Sequence, residues 1–136
     1  MTPPPAVPRV GLLDTSVVID LPTLSTDELP AFPTISSVTL AELSVGPQLA
    51  KDEQTRQVRQ LTLQQTESSF EPLPFDDACA RRFAIVATAL RENGRQSRAR
   101  AFDALIAATA LAHDLPLYTR NPRDFEGIRE LDVRAV

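Results

Sequence analysis

Between residues 104 and 112 every position except Thr109 is apolar, and the run sits inside a helical pattern spanning residues 97–113. A helix without a polar face must be covered on most sides, so the chain has to supply layers around it. The remaining sequence offers such layers. Residues 10–14 (VGLLD) read as a short buried strand and 16–21 as the start of a helix. Pro33 introduces a second short strand at 34–36, followed by a helix over 38–45 that Gly46 and Pro47 stop. Residues 52–66 predict a polar, peripheral helix with Val58, Leu61 and Leu63 on one thin stripe, and 70–73 a further strand. Asp76 caps a long helix in which Cys79, Phe83, Val86 and Leu90 recur at helical spacing up to Asn93-Gly94. Short strands at 116–119 and 131–133, with a turn at Asn121-Pro122, complete the pattern. Strands alternating with helices imply right-handed crossovers and a parallel sheet covered on both faces. The expectation is an α/β fold: one three-layer α/β/α domain over residues 10–136, preceded by a flexible proline-rich segment at 1–9.

Composition narrows the chemistry. With 14 basic and 18 acidic residues the chain carries a net charge of -4, which argues against bulk attraction to nucleic acid; a polyanionic ligand must meet local positive charge or metal ions. The single cysteine, Cys79, cannot form an intramolecular disulfide, and the opening MTPPPAVPRV lacks the features of a signal peptide, so a cytoplasmic location is expected. Charged residues interrupt every apolar stretch, which excludes membrane insertion. The four glycines are isolated, ruling out phosphate-cradling and dinucleotide loops, and no G-x-S-x-G elbow occurs. Lys51 is the only lysine and lies far from any strand end, which weighs against a phosphate-receiving regulator.

In a parallel α/β sheet, strand C-termini and helix N-termini share the edge at which ligands bind. Four acids map to that edge: Asp14 at the end of the first strand, Glu42 early in the helix after the second, Asp103 in the N-terminal half of the buried helix, and Asp124 in the loop after residue 119. Each also has a purely structural explanation. Asp14 is a good N-cap, Thr39 to Glu42 fits a capping box, Asp103 can cap a helix, and Asp124 suits a turn. These explanations do not account for a shared edge. Four converging carboxylates repel one another unless a cation neutralises them. Oxygen ligands alone select a hard ion, Mg2+ or Mn2+. Zinc is disfavoured, because His113 and Cys79 stand on separate helices without ligand spacing, and His113 reads as a last-turn residue favoured by the helix dipole.

Three segments carry a recognisable pattern: LLDTSVVID at 12–20, ISSVTLAELSVG at 35–46 and FDALIAATALAHDLPLYTRNPRDF at 102–125. Together they make the chain, from about Val10 to its end, resemble a PIN-domain ribonuclease of the VapC type, the toxin of a bacterial toxin–antitoxin pair. The resemblance implies a metal-dependent endoribonuclease that hydrolyses RNA phosphodiesters at an acidic Mg2+ or Mn2+ site. By motif position Asp14, Glu42 and Asp103 match the family's metal-binding acids, and Thr15 or Ser16 its hydroxyl beside the first acid. The fourth acid falls at Asn121 or Asp124; Asp124 carries the charge, with Asn121 supporting through its amide oxygen. The resemblance also implies a small antitoxin partner and a homodimer. Arg95, Arg98 and Arg100, just upstream of Asp103, are best placed for RNA phosphate contacts, with Arg120 and Arg123 as weaker candidates. Alternative readings are a PIN-fold RNA- or protein-binding module with a degraded site, which the amide at Asn121 favours, and a metal-dependent phosphomonoesterase.

Overall fold

Neighbouring side chains of an extended strand face opposite ways, so Leu12-Leu13 feeds two cores at once. The computed structural model describes residues 10–94 and 99–136. The proline-rich segment 1–9 and the arginines Arg95 and Arg98 lie outside the described residues. In chain order the elements are β1 (Val10–Leu13), α1 (Thr15–Asp20), two 3-10 turns (Leu21–Thr23 and Thr26–Glu28), β2 (Phe32–Thr34), α2 (Ser37–Gln48), α3 (Glu53–Ser69), α4 (Asp77–Glu92), α5 (Ala99–Ala112), β3 (Leu117–Thr119), a 3-10 turn (Pro122–Phe125) and β4 (Val133–Ala135). The strands form a parallel sheet in the order β2-β1-β3-β4.

Register explains the two cores. Leu12 pairs with Leu117, and both join a cluster with Val86 and Leu90 of α4, Ile106, Ala107 and Ala110 of α5, and Phe125. Leu13 pairs with Tyr118, and both join Val17 and Val18 of α1, Ile35 and Leu43 on the other face. The apolar run of α5 accounts for its burial: Ala104, Ala107, Ala108 and Ala110 are at most 4% exposed, and their small side chains let the helix lie close on its neighbours. Thr109 is also buried, with its hydroxyl donating to the Leu105 carbonyl at 2.9 Å. Among the described residues no helix is long and apolar enough to cross a membrane.

The structure departs from the sequence-based expectations in four places. β2 occupies Phe32–Thr34 instead of 34–36, because Ser36 is the N-cap of α2 and accepts the Thr39 N–H. That cap displaces the capping box expected at Thr39 and frees Glu42 for another partner. α2 runs through Gly46-Pro47 to Gln48: the Pro47 ring is buried, and Arg59 of α3 donates to the Gly46 carbonyl at 2.9 Å. Residues 70–73 contribute one isolated bridge, Ser36 to Leu73, because Pro72 and Pro74 remove backbone donors a strand needs. The last strand lies two residues later than expected, at Val133–Ala135.

The order β2-β1-β3-β4 sends the chain first to one side of β1 and then to the other. Such a switch point opens a crevice at the C-terminal ends of the two central strands, here β1 and β3. The close fit of these strands depends on Gly11: a Cβ there would lie 2.5 Å from Tyr118 Cε1 and 2.9 Å from Pro30 Cγ. Gly11→Ala is expected to lower unfolding free energy by about 1–3 kcal/mol through overpacking, read as a lower midpoint in urea at unchanged m-value. A midpoint equal to wild type would show that Tyr118 yields freely.

Candidate active site

The crevice is built from strand ends. Asp14 follows β1 directly and caps α1, Oδ1 accepting the Thr15 N–H at 2.9 Å. Its Oδ2 accepts the hydroxyls of Ser16 at 2.9 Å and of Thr119, the last residue of β3, at 2.8 Å. Three of the carboxylate's roughly four lone-pair sites are thereby taken, and one remains for a cation. The capping explanation for Asp14 is therefore correct and incomplete, since the same group is also tied across the switch point.

Glu42 lies in the second turn of α2, where the Thr15 hydroxyl donates to Oε1 at 2.7 Å. The Thr15 and Thr39 hydroxyl oxygens are 3.0 Å apart. A hydroxyl has one proton, and that of Thr15 goes to Glu42, so Thr39 is the donor in this contact. The relay Thr39 to Thr15 to Glu42 orients the glutamate from fully buried Thr39 outward.

Asp103 is on α5 and Asp124 in the 3-10 turn after β3. Arg100 joins them, with Nη1 2.7 Å from Asp124 Oδ1 and 3.2 Å from Asp103 Oδ2. The acids feel one another. Burial raises the Asp14 carboxyl above its ordinary value, with the Asp124 charge adding to the effect and hydrogen bonds opposing it. Burial likewise raises Glu42, and the Asp14 charge adds to it. Asp103 is pushed up to about 6, by burial first and then by the charges of Asp14 and Asp124. Folding thus brings all four acids expected from the sequence to one crevice.

Asn121 participates through its backbone: its N–H donates to Thr119 Oγ1 at 3.0 Å, and its carbonyl accepts the Asp124 N–H at 3.0 Å. Ser16 Oγ also accepts the Arg120 N–H at 3.2 Å. The loop after β3 is therefore fastened to the hydroxyls that hold Asp14. Thr119 has no role in the sequence-based reading, and Thr39 only that of a helix cap. A polar residue ending the apolar strand Leu117-Tyr118-Thr119 is the signal that finds the first. Among the described residues no buried side-chain nitrogen or oxygen lacks a partner.

The donor set fits a divalent cation of the hard class: carboxylate oxygens only, those of Asp14, Glu42 and Asp103 partly dehydrated by burial. Arg100 supplies part of the counter-charge itself. Cys79 and His113, set apart by sequence, come together in space with Asp76, away from this crevice.

A PIN domain family model matches residues 11–131. The ribonuclease VapC4 of Mycobacterium tuberculosis is 31% identical over 131 residues, covering 94% of this chain and 98% of the relative. A ribonuclease VapC of Rickettsia bellii is 32% identical over 129 residues, covering 92% and 95%. Among solved structures, VapBC-5 of Mycobacterium tuberculosis, a member of the VapBC family of toxin–antitoxin systems, matches with a TM-score of 0.79 at 35% identity, covering 95% of this chain and 100% of that one. VapBC2 of Rickettsia felis, solved with a DNA fragment from its promoter, matches with a TM-score of 0.69 at 25% identity, covering 93% and 98%.

The raised Asp103 carboxyl fixes the sign of a pH effect. Between its ordinary 3.8 and about 6 the folded chain holds a proton that the unfolded chain has released. The stability contribution from this proton is therefore full at low pH and is lost as pH rises through that window. Calorimetry in chelator should show the thermal midpoint falling across it. Asp103→Asn should flatten the fall and leave the midpoint above about pH 6 equal to or higher than wild type. A variant midpoint several degrees lower would mean that Asp103 is held by favourable contacts.

Proposed function

This chain belongs to the PIN-domain family, and on that premise we propose that it is a VapC-type endoribonuclease, the toxin of a type II toxin–antitoxin pair, acting at a divalent-metal site made by Asp14, Glu42, Asp103 and Asp124. The observation that carries the site assignment is the convergence on one crevice of Asp14, tied to the end of β3 through Thr119; of Glu42, held by Thr15; and of Asp103 and Asp124, with Arg100 lodged between the last two. Mg2+ or Mn2+ is the expected ion. When bound, such an ion supplies charge neutralisation at a phosphoryl oxygen and acidifies water beside it.

The chain's own residues do the rest. Thr119, Ser16 and the Thr15 N–H fix the direction of Asp14. Thr15 fixes Glu42, and Asp103 approaches from α5. Arg100 has a double part: it balances the acids while no cation is present, and a cation that takes over this balance frees the guanidinium for an RNA phosphate. The phosphate role assigned to Arg100 from sequence therefore begins from an inward-facing position. Arg120 is held by Asp20 at 3.3 Å and is the weaker candidate.

Two protein partners accompany this reading. A groove of about 650 Å³ between α1, α2 and α3 is lined by Ile19, Leu43 and Val58 and opens at Thr15 and Glu42. Ile19 and Val58 are more than half exposed, so an apolar antitoxin segment laid there would cover them and close the crevice. A homodimer is the second expected assembly, and Phe32 on edge strand β2 and Ile85 on α4 are exposed apolar residues available to it.

Purified protein incubated with total cellular RNA should generate new 5′ ends with Mn2+ or Mg2+ and none in chelator. Asp103→Asn should cut the rate by at least roughly a hundredfold, the upper end of what losing a supporting residue costs, and Thr119→Val by about ten- to a hundredfold. Cleavage that persists in chelator, or an active Asp103→Asn protein, would overturn the site assignment. Turnover of a small phosphate ester with RNA left intact would favour a phosphomonoesterase.

A further inference from the structure

Asp76, Cys79 and His113 each offer one ligand atom, and the three atoms lie within 4.8 Å of one another. The cluster is remote from the acidic crevice: His113 follows Asp103 by ten positions, about 15 Å along α5 and at the opposite edge of the sheet. Local structure already fixes much of it. Asp76 caps α4, with Oδ1 accepting the Cys79 N–H at 3.1 Å, so aspartate and cysteine share one turn. Cys79 is fully buried, and its thiol donates weakly to the Pro74 carbonyl at 3.7 Å. The His113 N–H continues the ladder of α5 by donating to the Thr109 carbonyl at 3.1 Å.

We propose that these three side chains form a second metal site, one that takes a zinc-class ion with water as fourth ligand and ties the start of α4 to the end of α5. One sulfur, one imidazole nitrogen and one carboxylate oxygen make a borderline-soft set that suits Zn2+ and discriminates against Mg2+ and Mn2+, the reverse of the oxygen-only crevice. Charge also balances. Binding releases the thiol proton to solvent, after which thiolate and carboxylate cancel the two charges of the ion, so a lone carboxylate charge gives way to a neutral complex beside the apolar core. Tetrahedral Zn–S, Zn–N and Zn–O bonds place ligand atoms roughly 3.3–3.6 Å apart. The trio must contract by about 1.5 Å at most, which rotation of the Asp76 and His113 side chains supplies. The Asp76 cap needs only one oxygen, so the other is available to the ion.

The test uses the full-length protein, stripped of metal and titrated with Co2+ as a spectroscopic probe for Zn2+. Cys79 is the only cysteine, so a thiolate-to-cobalt charge-transfer band can arise nowhere else in the chain. One equivalent of Co2+ should produce that band together with tetrahedral visible bands; Zn2+ should abolish them and a large excess of Mg2+ should not. His113→Ala, and Asp76→Ser, which keeps a helix-capping side chain, should weaken Co2+ binding at least roughly tenfold, while Asp103→Asn should leave it unchanged. Absence of the thiolate band from the wild-type protein at saturating Co2+ would overturn the proposal, with no variant required. A band that survives His113→Ala at unaltered affinity would overturn it equally, by reducing the site to a solitary thiol.

Discussion

The burial of mutually repelling carboxylates at a topological switch point is the constraint around which this molecule is arranged. Asp14 sits where the chain leaves β1, and Thr119, where β3 ends, holds it from across the crevice. Glu42 and Asp103 reach the same place from α2 and α5. Burial and mutual charge raise the proton affinity of these groups, and the hydroxyls of Ser16 and Thr119 are committed to orienting Asp14 and that of Thr15 to orienting Glu42. The arrangement costs stability in the metal-free state, and Arg100 offsets part of that cost with a single guanidinium shared by two acids.

Much of this was readable from the sequence because it follows from periodicity. The apolar run 104–112 forces a buried helix, and the Leu12-Leu13 alternation forces a sheet covered on two faces. Once the strands are parallel, residues at strand ends and helix beginnings must share an edge, which is why all four acids could be located together. The acids themselves are sparse in apolar surroundings and stand out. Boundaries were less legible wherever a competing local interaction decided them. Ser36 is a better cap than a strand residue, the buried ring of Pro47 outweighs one lost backbone bond, and two prolines leave residues 70–73 with a single bridge. The hydroxyl contacts of Thr39 and Thr119 were hidden because a threonine in a buried element resembles a cap or ordinary filler until its partner is known, 24 and 105 residues away. Sequence separation likewise concealed the meeting of Cys79 with His113.

The two candidate metal sites would divide labour through one helix. α5 carries Asp103 toward the crevice and is followed directly by His113, so a brace at its far end would steady the element that delivers one of the crevice carboxylates. The two donor sets differ enough that one ion need not compete with the other. The groove between α1, α2 and α3 is a third region, largely apolar, whose lining includes Thr15 and Glu42, so a partner seated there would join recognition to the acidic crevice.

The buried alanines of α5 carry a genetic consequence. Because Ala104, Ala107, Ala108 and Ala110 set how near the helix lies to its neighbours, a bulkier residue at any of them would push Asp103 away from Asp14 while leaving every acid intact. Mutants recovered by selecting for cells that survive the active protein should therefore fall in two classes of equal interest: those that lose a charge at the crevice, and those that merely thicken a helix some turns behind it.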